Sequence, residues 1–183
     1  MNDLNKPPTT SRNDFDLTAL YKALEAQREA RGLTWQQATR EINRQAEGQK
    51  TSRALSASTV KGLPKRIAAE GDGVLQMLRW LNRSPESFIA GYNPIADETT
   101  TSLPEVPPNK VLRFDTKSLY EALNNHRLAR GMTWKQLASE IGGTNPESLQ
   151  YLAHGGRTWF PMVTRITQYL GQPAARFTRA TDR

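Results

Sequence analysis

Apolar positions along this chain fall into helical stripes. Leu17, Leu20, Tyr21 and Leu24 recur at the three- and four-residue spacing that lines one face of a helix. Phe15 and Asp16 precede the stripe as an apolar N′ residue and a carboxylate N-cap, and Leu20 is placed to close a hydrophobic staple. Gly32, directly after Arg31, supplies the left-handed position that ends such a helix. A second helix then opens at Thr34-Trp35-Gln36-Gln37, which fits a capping box, and it is apolar at Ala38 and Ile42. The pattern predicts a third helix from about Ser56, a fourth over residues 72–81 and a short helical turn at 85–88. No stretch alternates convincingly with period two, so the expected fold class is all-α.

The same succession occurs twice. Residues 15–42 align with 114–141 at an offset of 99, with 15 of 28 positions identical, and residues 56–90 pair with 145–179 at an offset of 89. The shared residues include Phe15/Phe114, Asp16/Asp115, Arg28/Arg127, Thr34-Trp35/Thr133-Trp134 and Glu41-Ile42/Glu140-Ile141. The drop in offset places ten extra residues of the first copy in the polar stretch 43–55. In the second copy Asn145 as N-cap and Pro146 at N1 restart the chain after Gly142-Gly143, giving two short helices about a tight turn. The chain therefore divides into a disordered N-terminus (1–14), a first module (15–91), a Pro/Thr-rich linker (92–113), a second module (114–179) and a tail (180–183).

Charge sharpens this picture. The chain has 183 residues and a net charge of +7, distributed as +4 over 15–91, −3 over 92–109 and +6 over 110–183. A basic balance points to a polyanionic partner. With no cysteine and only His126 and His154, thiol chemistry and Cys-ligated zinc are excluded and His-based catalysis has little to work with, so neither an enzyme nor a metal or cofactor is expected. P-loop, dinucleotide and nucleophile motifs are missing. Without a long apolar run or the apolar core of a signal peptide, the expected location is the cytoplasm, with no membrane partner.

The order of a helix, Arg-Gly-[Leu/Met]-Thr-Trp-x-Gln, a helix ending Glu-Ile, a Ser/Thr-rich third helix and a helix ending Trp-Leu-Asn-Arg-Ser-Pro-Glu-Ser-Phe resembles the lambda-repressor-like, XRE-type helix-turn-helix domain. The resemblance covers 15–91 and 114–179, and implies two tandem five-helix modules. Trp35 and Trp134 stand where that family often carries a phosphate-binding glutamine, and the first copy's connection into helix three is longer than its usual turn. What the resemblance implies is double-stranded DNA as partner, with each third helix entering the major groove by its N-terminal end.

In the first copy the candidate DNA contacts are Ser56, Ser58, Thr59, Lys61, Lys65 and Arg66, joined by Arg44 and Arg53 from the basic stretch before them. Hydroxyls suit base edges or phosphates, and Lys and Arg release counterions from the backbone. The second copy offers Asn145, Ser148, Gln150 and Arg157, but Glu147 opposes phosphate. Two uses stay open for it: a weaker half-site reader, or a surface for a sister module, another subunit or a regulatory protein. The aromatic residues Trp35, Trp134, Trp80 and Tyr169 are expected to pack within the modules. The reading is a transcriptional regulator acting as a covalent pseudo-dimer on an asymmetric site, with a protein-interaction adaptor as the rival.

Overall fold

A computed structural model describes residues 14–44, 54–89, 102–107 and 110–182. The first half contains α1 (Leu17–Ala30), α2 (Trp35–Arg44), α3 (Ala57–Lys61) and α4 (Gly71–Leu81), with 3₁₀ turns at Leu63–Lys65 and Pro85–Phe88. The second half repeats the order as α5 (Thr116–Ala129), α6 (Trp134–Ile141), α7 (Pro146–Tyr151) and α8 (Phe160–Leu170), with 3₁₀ turns at Leu152–His154 and Ala174–Phe177. Among the described residues, no helix is long and apolar enough to cross a membrane.

The expected caps form. Asp16 accepts from the Thr18 and Ala19 N–H groups at 2.8 and 2.9 Å, and Asp115 accepts from Ser118 N–H at 3.2 Å. Thr133 and Gln136 close a reciprocal capping box, and Thr34 and Gln37 exchange the same pair of bonds. Gly32 and Gly131 adopt φ of +61° and +60°, which turns the chain sharply into the second helix of each half.

The repeated residues build one bracing system twice. Tyr21 stacks on Trp35 and Tyr120 on Trp134, each at 5.5 Å between ring centroids. Arg28 lies over the Trp35 ring and donates to Leu33 C=O at 2.8 Å, while Arg127 lies over Trp134 and donates to Met132 C=O at 2.8 Å. A second brace joins the ends of three helices. Arg31 pairs with Glu41, whose other contact is the Trp80 indole N–H at 3.0 Å; Arg130 pairs with Glu140, which accepts from Tyr169 hydroxyl at 2.6 Å. These contacts hold both glutamates below the usual carboxylate range, the indole bond contributing most at Glu41 and the Arg130 bond most at Glu140.

The fold is mostly helical, in keeping with the expected class, and adds one two-stranded sheet that the pattern did not predict. Strand β1 (Lys110–Phe114) pairs antiparallel with β2 (Thr178–Asp182), in the register Phe114 opposite Thr178 and Lys110 opposite Asp182. Residues 110–113, read from the sequence as the end of the linker, and 180–182, read as tail, thus belong to this sheet. Val111, Leu112 and Phe114 are all buried, so β1 lacks the two-residue alternation that would have announced it. The first half carries a one-residue version, a bridge between Phe15 and Ile89. Asp16 N–H donates to Phe88 C=O there, as Asp115 N–H donates to Phe177 C=O in the second half.

The two halves do not hang apart on a tether. Gly71 N–H donates to Thr158 C=O at 3.0 Å, and Phe160 N–H donates to Ala69 C=O at 2.9 Å, flanking a bridge between Glu70 and Trp159. The offset of 89 that relates the halves exchanges the two bonds, Gly71 corresponding to Phe160 and Ala69 to Thr158, so the halves meet about an approximate two-fold axis at this bridge. The ring of Phe160 packs on Phe15 at 4.4 Å and Phe114 at 5.5 Å. Its counterpart Gly71 leaves no room for a side chain, since a Cβ there would meet Phe114 at 2.8 Å. The buried carboxylate of Glu86, 4% exposed, accepts from Ala174 N–H at 2.7 Å, and Leu103 and Val106 pack on the same continuous core.

Phe160→Ala should cost about 3–5 kcal/mol, because it empties the contact between the halves. Chemical denaturation read by tryptophan fluorescence and by far-ultraviolet circular dichroism should show one coincident transition shifted to lower denaturant. Separate transitions for the two halves would contradict the shared core.

Candidate nucleic-acid interface

The helices α3 and α7 occupy matched places. Val60 and Leu149 are their buried anchors, followed by Leu63 and Leu152 in the 3₁₀ turns, and each pair is related by the same offset of 89. Register then fixes what each helix turns outward. Ser58 corresponds to Glu147, Lys61 to Gln150, Lys65 to His154 and Arg66 to Gly155. Ser58, Lys61, Lys65 and Arg66 are all exposed, so the first face carries three cations, and the second, with histidine neutral, carries one anion.

Local hydrogen bonds divide the candidate contacts into builders and free groups. Ser56 caps α3 by accepting from Thr59 N–H at 3.1 Å, and its Oγ lies 2.8 Å from Ser58 Oγ and 2.9 Å from Thr59 Oγ1. The hydroxyls of Ser56, Ser58 and Thr59 are therefore engaged with one another at the helix start, while Lys61, Lys65 and Arg66 are exposed beyond it. In α7, Asn145 caps by accepting from Ser148 N–H at 2.7 Å, and Gln150 donates to Pro146 C=O at 3.2 Å. Arg44 is exposed at the end of α2. Arg53 lies outside the described residues.

The long connection of the first half is closed by a clamp. Asn43 Nδ2 donates to Leu55 C=O at 2.8 Å, and Leu55 N–H donates to Asn43 Oδ1 at 2.9 Å. These two bonds bring the end of α2 and the start of α3 together whatever lies between, which is what a tight turn does in the second half. There the turn is held differently. Arg165 of α8 donates to Gly143 C=O at 2.9 Å and forms a two-pronged ion pair with Asp14, at 2.7 and 3.0 Å. Asp14 holds the Arg165 guanidinium pKa up, so this arginine is a structural clamp.

Arg157 is exposed beside the junction of the halves, where it and Arg113 lower the pKa of Asp72. That carboxyl is only 13% exposed and its Oδ2 is 3.9 Å from Arg113 Nε. Burial outweighs both cations, and with Glu70 nearby the pKa is pushed up to about 6.

Sequence reasoning missed two exposed residues in the segments that lead out of the 3₁₀ turns. Ile67 is 98% exposed and Trp159 is 60% exposed, and Tyr151, at 61%, leans on His154 with ring centroids 5.3 Å apart. Helical periodicity marks buried stripes and has no signal for a lone apolar side chain in a loop. A cavity of about 230 Å³ between the end of α4 and residues 102–105, lined by Arg79, Arg83 and Leu103 among others, involves none of the α3 or α7 residues. No family model, curated protein or solved structure matches the chain.

The raised pKa of Asp72 makes stability fall as pH rises. The neutral carboxyl is the form the fold favours, so its contribution is complete below about pH 4 and is lost as pH passes 6. Asp72→Asn should therefore be more stable than the parent by about 2–3 kcal/mol at pH 8, with the difference closing toward pH 3. Urea titrations across that range measure it, and a pH-independent difference would refute the assignment.

Proposed function

We propose that this chain is a sequence-specific, double-stranded DNA-binding transcriptional regulator, in which the two halves are helix-turn-helix units serving as a built-in pseudo-dimer on an asymmetric site. The observation that carries the reading is the exposure of Ser58 and Lys61 on the capped helix α3, and of Lys65 and Arg66 in and just after the 3₁₀ turn that follows it. Hydroxyls and cations on one short element suit base edges flanked by phosphate. Further support comes from the reciprocal bonds through Gly71 and Phe160, which fix α3 and α7 in one body as a two-site reader requires.

The unlike faces make the unlike half-sites. Lys61 opposes Gln150 in register, and Ser58 opposes Glu147, so the second half reads with polar groups and has weaker backbone attraction. An adaptor role for that half is the alternative, favoured by the acidic residue on α7 and the exposed Tyr151.

Titration of random-sequence duplex through a salt series tests the first half. Replacing Lys61, Lys65 and Arg66 together by alanine should flatten the slope of log affinity against log salt by about 2–3. An unchanged slope removes α3 from the interface. For the second half, Glu147→Lys should tighten binding and steepen the slope by about 1 if α7 faces phosphate; no change in either favours the adaptor.

A further inference from the structure

We propose that Ile67 is an apolar wedge that enters the minor groove between the two half-sites, on the first half's side of the centre, and bends the duplex there. The inference rests on the DNA-binding reading and adds to it an activity: deformation of the DNA by a single residue of the first half.

The first observation is exposure. At 98%, Ile67 makes essentially no use of its side chain within the fold, although neighbouring Ala69 is buried and Leu63 is in the core. Its setting is the second. Lys65 and Arg66, both exposed, directly precede it, and among the described residues neither has an ion pair. An isoleucine behind two cations matches a surface whose rim is anionic and whose interior is apolar, which describes a phosphate-lined groove with stacked bases beneath.

Position in the fold is the third observation. Ile67 lies three residues before Glu70, whose bridge to Trp159 marks the approximate two-fold axis. When paired helices read two major-groove sites one turn apart, the surface on the axis between them faces the intervening minor groove. Aliphatic side chains inserted at such places partly unstack one base step and kink the duplex, most easily at pyrimidine–purine steps. The counterpart of Ile67 in the second half is Gly156, so there is one wedge and the kink is displaced from the axis toward the first half-site.

The experiment starts from duplexes selected by the full chain from a random library. Energy transfer between dyes at the two duplex ends then reports the bend for the parent, Ile67→Ser and Ile67→Leu. The expected result is a parent bend of about 20–90°, retained by Leu and largely lost by Ser. The Ser variant should bind on the order of tenfold more weakly, with an unchanged footprint, and the selected sequences should carry a flexible step near their centre. Because the residue is exposed, thermal melting should be the same for all three proteins. Bound but straight DNA, or an equal bend with Ser, overturns the wedge and leaves the DNA-binding reading standing. Failure to select any DNA overturns both.

Discussion

Everything in this molecule hangs on two backbone hydrogen bonds, from Gly71 to Thr158 and from Phe160 to Ala69, that tie the start of α4 to the start of α8. Each is worth little alone. Their weight comes from the aromatic packing they enclose, where Phe160 fills the space between Phe15 and Phe114 and Gly71 yields its own space to Phe114. Two copies of a small helical unit, each near the lower size limit for a self-sufficient core, thereby share one interior.

From that junction outward, orientation is transmitted by repeated braces. Arg31, Glu41 and Trp80 lock the end of α1 to α2 and α4, and Arg130, Glu140 and Tyr169 do the same for α5, α6 and α8. The second helix of each half, so fixed, sets where the third can begin, through the Asn43 clamp in one half and Arg165 in the other. The exposed faces of α3 and α7 thus inherit their geometry from a rigid frame while differing freely in chemistry. Such a division lets contact residues drift apart without disturbing the core.

Much of this was legible in the chain. The caps at Asp16, Thr133 and Asn145, the turns at Gly32 and Gly131, and the packing of Trp35 and Trp134 against the preceding helix follow from local rules that involve residues a few positions apart. The sheet was not, because Val111 and Leu112 are buried side by side and the Thr178–Asp182 strand is polar. Nor was the junction. Residues 69–71 and 158–160 meet by backbone groups, which carry no side-chain signature, and the fit of Gly71 against Phe114 in the other half is invisible to any periodicity. Of the candidate contacts, Lys61 is exposed at the end of the third helix that the pattern predicts, and Lys65 and Arg66 are exposed in and just after the 3₁₀ turn that follows it. What the chain alone could not reveal was that Ser56 and Arg165 are spent on structure, since that depends on which partner each finds in space.

Matched positions at the junction carry unlike residues, Gly71 in the first half and Phe160 in the second, so the joint is made from two different pieces held within one chain. The gain is kinetic and quantitative: a ligand that engages both halves meets them already joined, and its occupancy rises with the first power of chain concentration instead of waiting for two chains to meet.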